Sequence, residues 1–215
     1  RNHDQIIKST IYRMKYLNMV EEDAFEAAVN QLEEDVVHAK YPNKNMMHSM
    51  LAEMYWMYYQ NNRWKFYNRS QTVNFVTDDI KTWDLNTLAD NVIKHYQASL
   101  NNTDSLQRTS VDVYNEVIVD YDDTKKYRPT LFDFLTMRAV KFFKNKELTL
   151  SRPADQFLLR EDFYFYDAEK FVNIEIETSD TMSLQFYGIH AIQNYLKFRI
   201  TENNPAAFIK ADLER

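Results

Sequence analysis

Apolar residues recur along this chain at helical rather than strand spacing. Ile7, Ile11 and Met14 form one stripe, and beyond Glu21-Glu22-Asp23 a second runs through Phe25, Ala28, Val29, Leu32 and Val36. Steps of three and four residues place each set on one helix face, and the acids oppose the positive end of the second helix dipole. The polar link between them is short, which predicts an antiparallel hairpin. Tyr41-Pro42 closes the second helix, because proline holds the residue before it in extended backbone. A third helix follows through Met47, Met50, Leu51, Met54, Tyr55 and Tyr58. Its other side carries Met46, Trp56 and Met57, so it is expected to be packed on two sides.

An extended piece near Val73 to Val76 is predicted to precede a fourth helix, capped by Asp84, with Leu85, Leu88, Ala89, Val92 and Tyr96 inward and Asn101-Asn102-Thr103-Asp104 at its end. Residues 105 to 128 are polar, with an alternation at Val111, Val113, Val117 and Val119 that reads as a strand or an extended crossing segment. Thr130 and Asp133 have the spacing of a reciprocal helix cap ahead of Leu135, Ala139 and Phe142. Within an irregular stretch over residues 149 to 182, Val172, Ile174 and Ile176 alternate with Asn173, Glu175 and Glu177 as a half-buried strand would, with a helix end as the competing reading. Leu184, Tyr187, Gly188, Ala191, Tyr195 and Phe198 define a long helix on which Gly188 and Ala191 admit a close neighbour, and Asn204-Pro205 opens the last helix. The predicted fold class is all-α: antiparallel helical hairpins in a repeat-like, tetratricopeptide-like array without a fixed period, with irregular loops and room for one or two short strands. A single helical domain over residues 1–215 is expected, as a fragment of a much larger protein, since the chain starts at Arg1.

Composition narrows the chemistry. One glycine stands where average usage would give about fifteen, so no glycine-rich phosphate loop, dinucleotide fingerprint or nucleophile elbow can be written. The absence of cysteine removes disulfides, thiolate zinc sites and thiol nucleophiles while leaving the compartment open. A net charge of −6 argues against wholesale nucleic-acid binding, and the short, interrupted apolar runs argue against a membrane span.

Candidate sites are few. His3, His38, His48, His95 and His190 are scattered singly, so no metal is expected. Asp35 and His38 have a di-iron spacing, but that motif must occur twice. The run Asp120, Asp122 and Asp123 lacks the glycine and terminal glutamate of a calcium loop. Glutamates 33, 34, 175 and 177 offer carboxylate pairs for glycoside hydrolysis, as any acidic chain does. The distinctive stretch is Tyr55-Trp56-Met57-Tyr58-Tyr59 leading to Arg63-Trp64-Lys65-Phe66-Tyr67-Asn68-Arg69. Its first half fits core packing, and rings interleaved with cations can also stack sugars or bases. Trp56, Arg63, Trp64, Tyr67 and Arg69 are the candidate binding surface.

The run from Met46 to Trp56, the run from Asn62 to Arg69, Asp78-Asp79-Ile80-Lys81-Thr82-Trp83-Asp84, His95-Tyr96-Gln97-Ala98-Ser99-Leu100 and Tyr127-Arg128-Pro129-Thr130-Leu131-Phe132-Asp133-Phe134-Leu135 together resemble, in the same order, the N-terminal region of large bacterial alpha-2-macroglobulin-like proteins. The resemblance covers most of residues 4 to 143. It implies an exported, envelope-located parent, often lipid-anchored, whose downstream β-sandwich modules enclose an attacking protease. The family's thioester needs cysteine, so neither thioester nor bait residues carry over. The expectation is thus a non-catalytic scaffold or docking module that needs no cofactor, does not span a membrane and binds no nucleic acid. Its partner is expected to be the parent's downstream modules or another envelope protein. Glycan binding through Trp56, Trp64 and Tyr67 is the alternative.

Overall fold

The computed structural model describes residues 2–20, 24–67, 79–119, 124–146, 148 and 155–215. Among them lie ten α-helices and no β-strand, so the fold is all-α. None of these helices is long and apolar enough to cross a membrane. The chain gathers into two compact units: Arg1–Asn101 with Val113–Val119, and Asn102–Asp112 with Asp120–Arg215. The acidic entry at 21–23, the extended piece at 73–76, the acidic run at 120–123 and Arg69 lie outside the described residues.

The first unit holds α1 (His3–Val20), α2 (Ala24–His38), α3 (Asn43–Tyr67) and α4 (Leu85–Ser99). The lengths of 18, 15, 25 and 15 residues set no fixed repeat. Helix α2 buries Ala28, Val29, Leu32 and Val36 as its stripe predicts, and Phe25 at the edge stacks on Tyr58 at 5.5 Å. Helix α1 is less covered: Ile7 and Thr10 are buried, whereas Ile11, predicted to face inward, is exposed with Tyr12 and Tyr16. Helix α3 is packed on two sides, with Met47, Leu51, Tyr55 and Tyr58 buried on one and Met46 and Trp56 on the other, and only Met57 of the predicted set exposed. Its axis breaks at Asn62 (φ −125°, ψ 22°), whose side-chain amide donates to the Tyr58 carbonyl at 2.9 Å. Asp84 caps α4 by accepting from the Thr87 amide at 2.7 Å. At the other end Asn45 donates to the carbonyls of Ser99 and Asn101, at 3.0 and 2.7 Å, satisfying acceptors that a helix end leaves open. Asn102, at φ 60°, then turns the chain out of α4.

The second unit holds α5 (Thr103–Arg108), α6 (Thr124–Tyr127), α7 (Leu131–Phe143), α8 (Ala168–Phe171), α9 (Leu184–Thr201) and α10 (Pro205–Asp212). Thr130 and Asp133 form the predicted reciprocal cap: the Asp133 amide donates to the Thr130 hydroxyl, and the Thr130 amide donates to the Asp133 carboxylate at 2.7 Å. The same carboxylate meets Arg199 of α9 at 2.9 Å, and both side chains are wholly buried. Helices α7 and α9 pack closely because Gly188 has no side chain; a Cβ there would lie 3.2 Å from Phe143 Cβ.

Neither predicted strand forms among the described residues. Residues 111–114 make a 3₁₀ turn, and the pairing nearby is a single bridge between Ser110 and Thr130. Over 172–177 burial alternates as the sequence predicts, but the segment is the irregular exit of α8, which leaves through a turn with Val172 in right-handed backbone. Its acceptors are met by side chains. Gln193 of α9 donates to the Phe171 and Ile174 carbonyls at 3.0 and 2.9 Å, and His190 reaches the Ile176 carbonyl at 3.0 Å. With its carbonyls so occupied, the segment needs no second strand.

Candidate functional site

The aromatic and cationic stretch splits at the kink in α3. Before it, Trp56 is only 6% exposed and stacks on Tyr59 with ring centroids 5.2 Å apart. Trp56 therefore belongs to the packing, which corrects its reading as a surface platform: it lies on the helix face that the neighbouring aromatics cover. Beyond the kink Trp64 is 68% exposed, with the Lys65 ammonium 5.5 Å from its ring. Arg63 turns back over Tyr59 at 5.8 Å, and Phe66 is buried against Tyr58 and Tyr59. The structure thus brings Arg63, Trp64 and Lys65 to one helix end; the Tyr67 side chain and Arg69 lie outside what it describes.

Between α3 and α4 the fold assembles a group that the sequence does not announce. His48 and His95 face each other, Nδ1 to Nδ1, at 3.0 Å. One neutral ring must donate and the other accept. Burial, with help from Lys44 and Lys94 beside His48 and from His48 and Lys94 beside His95, lowers both imidazoles to about 4. The Tyr55 ring lies 5.6 Å from His95 and 5.2 Å from Trp83, and its hydroxyl donates to Glu33; the Tyr96 hydroxyl donates to Glu53 at 2.9 Å. The histidines are 47 residues apart, so only the pairing of α3 with α4 could have revealed them.

The other candidates are dispersed. Asp35 pairs with Arg13 and accepts from Gln31, and it lines, with His3 and His38, a cleft of about 760 Å³ between α1 and α2. Glu175 and Glu177 are exposed. Among the described residues no three histidine or carboxylate side chains converge as a metal site would require.

The second unit carries a cavity of about 510 Å³ lined by Phe143, Leu148, Phe157, Leu184, Ile189 and Ile192. Asp180 at its edge accepts from the Phe157 and Met182 amides at 3.2 and 3.3 Å. Lys144 and Glu214 form part of its wall and also border a smaller cleft of about 370 Å³ along α7. No protein family, curated protein or solved structure matches the chain.

Proposed function

We propose that this chain is a non-catalytic helical docking module, the N-terminal part of an alpha-2-macroglobulin-like cell-envelope protein whose whole traps proteases. The observation that carries the docking reading is the placement of Trp64. A large ring stands in solvent at the end of a helix whose other described aromatics, Tyr55, Trp56, Tyr58, Tyr59 and Phe66, are buried. Ring and cation together, on a helix anchored along both sides, give a partner protein a rigid anchor with little ordering cost. The family assignment rests on the sequence motifs quoted above, and the envelope location follows from it. In this fold those motifs build packing and caps: Met46, Leu51 and Trp56 are core, and Thr130 with Asp133 is the α7 cap.

Glycan binding is the weaker reading, because one of its stacking rings, Trp56, is buried, which leaves Trp64 as the exposed ring among the described residues. A photo-cross-linking side chain at position 64 of the full-length protein, in its own cells, tests the proposal. Adducts to one envelope protein, or to the parent's downstream modules, are expected. Absence of protein adducts, together with glycan-array binding that Trp64→Ala abolishes, would overturn it.

A further inference from the structure

Helices α7 and α9 run antiparallel, with Phe143 against Gly188 at one end and Asp133 against Arg199 at the other. That register brings Thr136, one turn after Asp133, level with Tyr195, one turn before Arg199. All four polar side chains are at most 1% exposed. Oδ2 of Asp133 is fully engaged: it accepts from the Thr130 amide and hydroxyl, both at 2.7 Å, and from Arg199 Nη2 at 3.0 Å. Oδ1 lies 2.9 Å from Nη2 as an ion-pair contact but makes no hydrogen bond. Arg199 Nε, the Thr136 hydroxyl and the Tyr195 hydroxyl are also buried with no hydrogen-bond partner among the described residues. Burial and the neighbouring Asp133 charge push the Tyr195 hydroxyl up, so it keeps its proton and remains a donor.

Leaving a polar atom unpaired in an interior costs more than one hydrogen bond returns, so buried groups pair with protein or with ordered water. We infer that one internal water molecule is bound between α7 and α9, accepting from Arg199 Nε and the Tyr195 hydroxyl and donating to Asp133 Oδ1 and the Thr136 hydroxyl oxygen. The chemistry of the four atoms selects it. Two donors and two acceptors are the complement of a water's own two acceptor sites and two hydrogens. A direct bond from Tyr195 to Asp133 would still leave the Arg199 Nε–H and the Thr136 hydroxyl without a mate. A cation would face the Arg199 guanidinium and an anion the Asp133 carboxylate, whereas a neutral molecule meets an ion pair that is already balanced. Through this water the carboxylate that closes the first turn of α7 is tied to Thr136 and Tyr195 as well as to Arg199. The helix pair is then held by a polar node at this end and by the Gly188 contact at the other. The inference does not depend on the Trp64 surface.

A high-resolution crystal structure of the intact chain is expected to show one ordered water within about 2.6–3.2 Å of at least three of the four atoms. Stability gives an independent reading, because its sign discriminates. Tyr195→Phe and Thr136→Val each remove one hydroxyl and nearly keep the side-chain shape. Where the hydroxyl is held by water, its removal raises the unfolding constant in urea, by about fivefold for each substitution; removing an unpaired hydroxyl lowers that constant instead. Oxygen-17 relaxation dispersion of the solvent counts long-lived internal waters, and the double variant should show one fewer than the parent chain. Thr136→Ser keeps the hydroxyl and should keep that water. Should the double variant misfold, the crystal structure and the sign for Thr136→Val alone decide. The inference is overturned by a dry site, by an ion in place of the water, by hydroxyl removal that leaves stability unchanged or raises it, or by equal counts of long-lived waters in parent and double variant.

Discussion

Acidification should loosen the first unit through the imidazole pair of His48 and His95. Both rings are depressed to about 4 in the folded chain against 6.5 when unfolded, so the unfolded chain takes up protons first. The contribution is intact above about pH 6.5 and is lost as pH falls toward about 4. At about 1.4 kcal/mol per pH unit the ceiling is ~3 kcal/mol for each ring. Both rings are part-exposed and share one hydrogen bond, so solvent screening and coupling reduce the sum to about 2–3 kcal/mol for the pair. The structural cause is plain. Protonating the accepting Nδ1 sets two donors face to face at 3.0 Å, with Lys44 and Lys94 adding like charge. Glu116 beside Lys8 and Asp112 beside Lys125 are held below the usual carboxylate range by their partners, whereas burial pushes the Asp133 carboxyl up, so the histidine contribution is read as a difference from a variant without the pair. Urea unfolding at steps between about pH 7.5 and 4.5 measures it, read by tryptophan fluorescence, to which Trp83, buried against Tyr55, contributes from this unit. The double variant His48→Gln, His95→Gln should lose most of the pH slope. Equal slopes in the two proteins would refute the reasoning.

Three further outcomes follow from packing. Gly188→Ala gains about 1 kcal/mol of helix propensity but presses a Cβ against the backbone-anchored Phe143 Cβ at 3.2 Å, so a net loss of about 1–2 kcal/mol is expected in thermal melting. Arg199→Met strands the buried Asp133 carboxylate and should cost about 3–5 kcal/mol, whereas the pair Arg199→Met, Asp133→Asn should recover part of it. Trp56→Ala should cost about 3–5 kcal/mol in chemical denaturation, and Trp64→Ala should change the midpoint by no more than about 0.5 kcal/mol, because one ring is packed and the other stands in solvent.

What could be read from the sequence is what local spacing encodes. The reciprocal cap of Thr130 and Asp133, the Asp84 cap and the two-sided third helix all depend on residues within a turn or two of each other. Ile11 failed because a stripe shows where apolar residues point, while cover for them depends on a neighbour that the sequence does not position; among the described side chains of α1, Ile7 and Thr10 are buried and Ile11 is exposed. The strand over 172–177 failed for a related reason. Its alternation is real, but the groups that meet its carbonyls sit about one element away, on Gln193 and His190. The histidine pair and the buried ion pair were illegible because each joins positions far apart in the chain, His48 to His95 and Asp133 to Arg199.

The segment leaving α8 has the composition that adds to a neighbouring chain, alternating Val172, Ile174 and Ile176, although it starts from a turn with Val172 in right-handed backbone. Such an edge is a template for intermolecular pairing unless its backbone groups are occupied. Here Gln193 and His190 hold two of its carbonyls from α9, those of Ile174 and Ile176, and Glu175 and Glu177 put charge on the exposed side. Two polar side chains on one helix thereby act as guards against self-association, and their loss would show first as aggregation on storage.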